Sequence, residues 1–169
     1  MDIRWGGGDI NRMQSLAQEL VGAHPDIIVT NNTAGTVALQ RETRTIPIVF
    51  AGLSDPVASG IVPGLNQPSG NITGFGFLEA SLGAKWLELL SEIVPGLKRA
   101  AIMFNPDTAP ASAFMPSLET AARSLKVGPI IAPVHSDAEI VAAIIAIGRE
   151  PGGGLVVVPD VFIGAHRAR

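Results

Sequence analysis

The chain contains no cysteine among its 169 residues, which excludes disulfide bonds, a thiolate nucleophile and a thiolate metal site. This absence leaves the cellular compartment open. No run of residues reaches the ~18 consecutive apolar positions of a membrane span. The first residues, Met1–Trp5, lack a basic segment followed by an apolar one, so the sequence shows no signal peptide. A formal net charge of −3 gives no reason to expect nucleic acid as a partner.

Motifs for catalysis and nucleotide binding are also missing. There is no G-x-x-x-x-G-K-[ST] loop and no G-x-S-x-G nucleophile elbow, and Gly6-Gly7-Gly8-Asp9 does not fit G-x-G-x-x-G. The histidines lie far apart in the sequence, at His24, His135 and His166. We interpret each as a surface or loop residue and expect no metal site. The sequence therefore predicts neither an enzyme nor a bound cofactor.

What the chain does contain is a high proportion of apolar residues, 47%, together with 19 glycines and 13 prolines, which is typical of short elements joined by tight loops. The first 60 residues alternate between strand and helix patterns, in the order of a parallel sheet covered by helices. The predicted elements are a short strand at Ile3–Trp5, a helix capped by Asp9 or Asn11 and ended by Gly22, a buried strand at 27–30, a helix from Thr33 to Arg41, and a buried strand at 46–51.

Residues 61–76 are rich in proline and glycine, and we interpret them as a crossover between two lobes. A second α/β series follows, with helices predicted at 81–94, 110–125 and 136–149 and strands at 99–104, 129–132 and 155–158. Pro116 indicates a late start or a kink in the second of these helices. The expected fold class is α/β, with two Rossmann-like lobes at 1–60 and 81–169 joined by a crossover at 61–80. Each series has few strands, so we expect the chain to be an internal piece of a longer protein.

Polar loops follow four of the predicted strands. They are Asn31–Thr33 and Ser54–Pro56 in the first series, and Asn105–Thr108 and Pro159–Asp160 in the second. Hydroxyl and amide groups at helix starts bind carboxylates, aided by the helix dipole, and an aspartate can hold an ammonium group. Together they would suit a zwitterion such as an amino acid. The alternative is that these residues are ordinary helix caps and turn formers, and the sequence leaves both interpretations open.

Our candidate ligand-binding residues share a position at or beside these loops. They are Asn32, Thr33, Ala34, Ser54, Asp55, Phe75, Asn105, Asp107, Thr108 and Asp160. Phe75 and its neighbour Phe77 lie beside the predicted crossover, where they either pack on a ligand's side chain or belong to the core.

Several segments resemble a known family in their order and spacing. They are Thr43–Phe50, Ser54–Val57, Pro68–Phe75, Lys85–Leu90, Phe104–Ala109 and Gly152–Asp160. Together they resemble the ABC-transporter substrate-binding proteins of the tryptophan/tyrosine-binding type, which are periplasmic binding protein-like. The resemblance extends over nearly all 169 residues.

The resemblance implies a two-lobed periplasmic or extracytoplasmic protein that encloses a small solute by lobe closure and docks on a membrane permease. By position, the Asn32/Thr33 helix start and Ser54-Asp55 would form the first-lobe wall. Asn105, Asp107, Thr108 and Asp160 would form the second. Compared with the family, the chain is expected to lack the signal peptide, the first strand and helix, and the carboxyl-terminal segment that completes both lobes.

Three functions are therefore considered. The leading hypothesis is the solute-binding component of an ABC importer, for a small solute such as an aromatic or branched amino acid, with no covalent chemistry. The second is a ligand-sensing domain of a regulator or receptor built on the same lobes. The third is an α/β enzyme, for which the sequence shows no nucleophile–base pair.

Overall fold

A computed structural model describes residues 1–66, 70–109 and 111–166. The predicted breaker Pro68 and the predicted helix start Pro110 lie outside the described residues. Strands and helices alternate along the chain except for one pair of consecutive strands, and this order confirms the α/β class. The elements are α1 (Ile10–Gly22), β1 (Ile28–Thr30), α2 (Thr33–Glu42), β2 (Ile48–Ser54), β3 (Ile72–Leu78), α3 (Leu82–Ile93), β4 (Arg99–Phe104), α4 (Ala111–Leu125), β5 (Gly128–Pro133), α5 (Asp137–Gly148), β6 (Gly153–Val157) and α6 (Val161–His166).

The strands form two parallel sheets of three strands each, in the orders β1-β2-β3 and β5-β4-β6. Each sheet lies in its own compact unit. The first unit comprises residues 1–79 and the segment from Val161 onward, and the second comprises Ala80–Asp160. The sequence-based division differs at two segments, because it assigned 61–80 to a crossover and 161–169 to the second lobe. Among the described residues, no helix combines the length and the apolar character needed to cross a bilayer.

One face of the first sheet packs against α1 and α2. Its buried side chains include Ile28, Ile48, Phe50 and Ile72, which join Ala17, Ala38 and Leu39 of the helices in one cluster. Helix α1 begins where Asp9 accepts hydrogen bonds from the Asn11 and Arg12 amides, which satisfies two of the first amides that lack an intrahelical acceptor. The predicted cap at Asp9 is thus confirmed.

The predicted burial of residues 27–30 is only half right. Ile28 and Thr30 are buried, whereas Ile27 is 53% exposed and Val29 is 68% exposed. Successive side chains of a strand point to opposite faces of its sheet, and only one face of this sheet is covered in the described part of the chain. An unbroken apolar run therefore looked like a strand buried on both sides.

The predicted crossover contains a strand, β3, which pairs in parallel with β2. Proline and glycine in this segment suggested that no long element forms, and for residues 72–78 that interpretation is wrong. Gly74 allows β3 to pair closely with β2, because a Cβ at this position would overlap the carbonyl oxygen of Phe50 on the neighbouring strand. A glycine in a strand often marks such a close backbone approach.

The second unit is organised around β4, of which Ala100–Phe104 are buried. Helices α3 and α4 pack together, with the rings of Trp86 and Phe114 5.0 Å apart between centroids. A Cβ at Gly83 of α3 would lie 2.7 Å from the Ser117 hydroxyl of α4, so a glycine permits the close contact between these helices.

Two further local predictions differ from the structure. Ile3–Trp5 does not form a strand, and its two apolar side chains are exposed, since an isolated extended segment has no ladder of hydrogen bonds to stabilise it. Helix α4 already includes Ala111 and continues through Pro116, so the late start is wrong. Pro116 has no amide hydrogen to donate to the carbonyl of Ser112, which lies four residues earlier in the first turn of the helix.

Candidate functional site

The first group of candidate residues lies at the carboxyl edge of the first sheet. Strands β1 and β2 are parallel neighbours, so the loops that follow them leave the sheet on the same side. Asn32 is the N-cap of α2, and its Oδ1 accepts a hydrogen bond from the Gly35 amide at 2.6 Å. The Asn32 carbonyl accepts from the Thr36 hydroxyl at 2.7 Å. Asn32 thus has the capping role that the sequence left open.

The amides of Thr33 and Ala34 open α2 directly after this cap. The first amides of a helix have no intrahelical acceptor, and they carry the positive end of the helix dipole. This is the kind of local geometry that accepts a carboxylate. The Thr33 side chain is half-buried and the Ala34 side chain is buried, so what this turn offers a ligand is mainly backbone.

The loop after β2 is a tight turn formed around Asp55. The Asp55 backbone has φ +37°, a conformation that few residues other than glycine, asparagine and aspartate adopt. Asp55 Oδ1 accepts a hydrogen bond from the Ala58 amide at 2.9 Å, and the Asp55 amide donates to the Leu78 carbonyl at 2.8 Å. Ser54 is buried. Asp55 therefore shapes the turn, whatever else it contacts.

Phe75 and Phe77 of β3 do not belong to the core. Phe75 is 78% exposed and Phe77 is 62% exposed, which removes the core-packing alternative for the described part of the chain. Phe75 is paired with Ala51 in the sheet. The Phe77 ring lies over Gly52, within 3.6 Å of where a Cβ would stand.

The second group lies at the carboxyl edge of the second sheet, where β4 and β6 are parallel neighbours. Asp160, after β6, accepts hydrogen bonds from the Asn105 amide at 3.4 Å and from the Thr108 hydroxyl at 3.2 Å. Asn105 and Thr108 are both buried. The structure therefore brings three candidates together in one network that joins the loops after β4 and β6.

Asp107, the remaining candidate of this unit, points its carboxylate outward. Its amide donates to Asn105 Oδ1 at 2.8 Å, while its side chain stays 59% exposed. Its Oδ2 lies 3.9 Å from Nε2 of His135, and Nδ1 of His135 lies 3.4 Å from Oε2 of Glu139. Asp107 is thus a charged candidate at this edge that faces solvent.

The sequence analysis interpreted His135 as a surface or loop residue, and the structure confirms this, since His135 is exposed and lies in the loop after β5. Val134, His135 and Ser136 directly follow β5, the third parallel strand of this sheet. The segment was recognised only as the start of a capped helix. Residues that follow parallel strands gather at one edge of the sheet. The same rule applied to β5 would have placed His135 at the edge where the candidates after β4 and β6 lie.

The chemistry available at both edges is polar binding. Backbone amides, hydroxyls and a carboxylate are present at the described loops, and among the described residues no group of three His, Asp or Glu side chains is placed to hold a metal ion. Each edge offers groups that recognise a charged small molecule by hydrogen bonds.

Comparison with known proteins gives the context for this arrangement. The family model of ABC transporter substrate binding proteins matches residues 2–163. The chain is 30% identical over 106 residues to the tyrosine-binding protein of Clostridioides difficile (strain R20291), an alignment that covers 62% of this chain and 30% of that protein.

Two solved structures are similar in fold. One is a conserved domain protein from Vibrio cholerae O1 biovar eltor, with 33% identity and a TM-score of 0.74, covering 83% of this chain and 47% of that one. The other is an ABC domain in complex with L-Trp from Streptococcus pneumonia, with 21% identity and a TM-score of 0.82, covering 95% of this chain and 54% of that one. The chain thus spans about half the length of these two structures and less of the curated relative. Because the family model matches almost the entire sequence, the chain belongs to the ABC transporter substrate binding protein family.

Proposed function

We propose that the full-length protein is the extracytoplasmic solute-binding component of an ABC importer and that its ligand is a zwitterionic amino acid, in the first instance an aromatic one. The observation that carries this proposal is the chemistry of the two sheet edges. The α2 start in the first unit offers backbone amides to a carboxylate, and the second unit offers the exposed carboxylate of Asp107 to an ammonium group.

The choice of an aromatic ligand has two supports. The related proteins described above carry tyrosine in their name or L-Trp in their crystal. In this chain, Phe75 and Phe77 expose their rings on β3, where they are available for stacking with an aromatic side chain. The proposed ligand contacts remain those predicted from the sequence, with Asp107 and the Thr33–Ala34 amides as the principal polar contacts.

Membership of a solute-binding family favours binding over catalysis, so we propose that the protein performs no covalent chemistry. We further propose that the loaded protein docks on a membrane permease. Fractionation of cells that express the full-length gene tests the location: the protein is expected outside the cytoplasmic membrane, and recovery from the cytosol would contradict it.

A thermal-shift screen of the full-length protein against the amino acids and other small solutes tests the ligand. A ligand that binds only the native state raises the melting temperature, and at a concentration 100 times its Kd the stabilisation is about 2.7 kcal/mol. L-tyrosine and L-tryptophan are expected to give the largest shifts.

A variant pair then locates the site. Asp107→Asn is expected to reduce the shift, whereas Asp26→Asn is expected to leave it unchanged, because Asp26 is exposed and precedes β1, at the amino end of the strand. A screen in which no amino acid shifts the wild-type transition would refute the proposed ligand class.

A further inference from the structure

The ring of His135 lies beside the carboxylate of Glu139. The His135 amide donates a hydrogen bond to Glu139 Oε2 at 2.6 Å, and Nδ1 of the ring lies 3.4 Å from the same oxygen. Glu139 is itself fixed in the first turn of α5, where its amide donates to the Ser136 hydroxyl at 3.3 Å. Both the backbone and the ring of His135 therefore face one carboxylate.

The shorter of the two ring–carboxylate contacts, at Nδ1, indicates which nitrogen carries the hydrogen of the neutral imidazole. An ionised carboxylate accepts hydrogen bonds and has none to donate, so the neutral imidazole places its hydrogen on Nδ1, and Nε2 becomes an acceptor. Nε2 lies 3.9 Å from Oδ2 of Asp107, which is too far for a hydrogen bond between them. The exposed edge of the second sheet thus presents two acceptors side by side.

We propose that Asp107 Oδ2 and His135 Nε2 form an acceptor pair that binds the ammonium group of the ligand. This inference rests on the proposed function and adds His135 to its binding residues. An ammonium group carries three donors, and two hydrogen bonds of about 2.9 Å from one nitrogen span the 3.9 Å gap between the two acceptors. The pair selects a primary ammonium, which donates to both acceptors, over a neutral or acylated amine.

Protonation of His135 removes the pair. The ring then carries hydrogens on both nitrogens, so Nε2 is a donor and no longer an acceptor, and the positive charge of the ring repels the ammonium. The charged groups within 4 Å of the ring among the described residues are Asp107, from the loop after β4, and Glu139, from α5. Ligand affinity is therefore expected to be lower with the protonated ring than with the neutral ring.

Calorimetric titration of the full-length protein with L-tryptophan and L-tyrosine at pH 8 and pH 5.5 tests the proposal. His135→Leu removes the acceptor and is expected to lower affinity at pH 8 by about tenfold or more, since hydrogen bonds to charged groups contribute about 1.5–3 kcal/mol. His135→Gln retains an uncharged acceptor and is expected to keep most of the affinity while losing the dependence on pH. His24→Asn, which changes an exposed histidine of the first unit, is expected to retain the wild-type pH profile.

A measurement without ligand provides the second test. Nitrogen-15 NMR of the free protein, with the ring signals assigned by their loss in His135→Gln, is expected to show the Nδ1–H tautomer in the neutral ring. An Nε2–H tautomer, a flat wild-type pH profile, or equal affinities of His135→Leu and wild type would overturn the acceptor pair alone. A wild-type protein that binds no amino acid at any pH would overturn the proposed function and the acceptor pair together.

Discussion

Among single residues, the two candidate aspartates of the second unit, Asp107 and Asp160, have different surroundings. Asp160 accepts hydrogen bonds from two groups of the β4 loop, at Asn105 and Thr108. Asp107 accepts no comparable bonds among the described residues and has its side chain exposed to solvent. Both were predicted from the sequence as ligand contacts with equal weight. We therefore propose that Asp160 mainly supports the loops and that Asp107 is the principal carboxylate that contacts a ligand.

We expect the variants Asp160→Asn and Asp107→Asn to separate these roles. Asp160→Asn weakens hydrogen bonds to a charged acceptor and is expected to lower the free energy of unfolding by about 1–3 kcal/mol. Asp107→Asn is expected to change it by less than about 0.5 kcal/mol, as is typical of surface substitutions, while lowering ligand affinity. Urea unfolding and calorimetry of the full-length protein measure both quantities. Equal losses of stability in the two variants would contradict the assignment.

At the scale of elements, the first sheet has one apolar face packed on helices and one exposed. Phe50 of β2 is 1% exposed and lies in the core, whereas Phe75 of the adjacent β3 is 78% exposed. Their alternation follows from the pleat, since Ala51, the residue after Phe50, is the partner of Phe75. Two phenylalanines on neighbouring strands thus provide a matched comparison of burial.

Phe50→Ala is expected to lower the free energy of unfolding by about 3–5 kcal/mol, because it removes a buried ring and leaves a cavity. Phe75→Ala is expected to cost less than about 0.5 kcal/mol in the 169-residue chain, and in the full-length protein to lower affinity for an aromatic ligand. Chemical denaturation of both variants, each compared with the wild type, measures the difference. Similar costs for the two substitutions would show that Phe75 is packed in solution.

At the scale of the whole molecule, the chain passes between its two compact units at two places, Glu79–Ala80 and Asp160–Val161. The sequence placed the joint at 61–80, but β3 occupies residues 72–78 inside the first unit. We therefore propose that bending on ligand binding is concentrated at these two passages. Hinges of closing proteins are commonly such residues at element ends.

Small-angle X-ray scattering of the full-length protein tests this behaviour. Saturation with the ligand found in the thermal screen is expected to reduce the radius of gyration, because the lobe closure that the sequence predicts would make the bound protein more compact than the free one. Asp107→Asn at the same ligand concentration is expected to show a smaller reduction. A radius of gyration that does not respond to saturating ligand would contradict closure.

The features that depend on near neighbours along the chain could be predicted from the sequence. Helical spacing, caps such as Asp9 and Ser136, and short apolar runs act within a few residues, so the α/β order, β4 and the main helices were predicted correctly. The family was also predicted correctly, because the resemblance depends on the order and spacing of segments along the sequence.

Tertiary structure alone decided the features that depend on contacts between distant residues. The exposure of Val29 reflects which face of the sheet the helices cover. Position 74 requires a glycine because β3 pairs closely with β2 there. His135 meets Asp107 because parallel pairing of β4 and β5 aligns the ends of two strands separated in sequence. A local pattern shows that His135 follows a strand, whereas the residue it lies beside is set by the packing of the whole sheet.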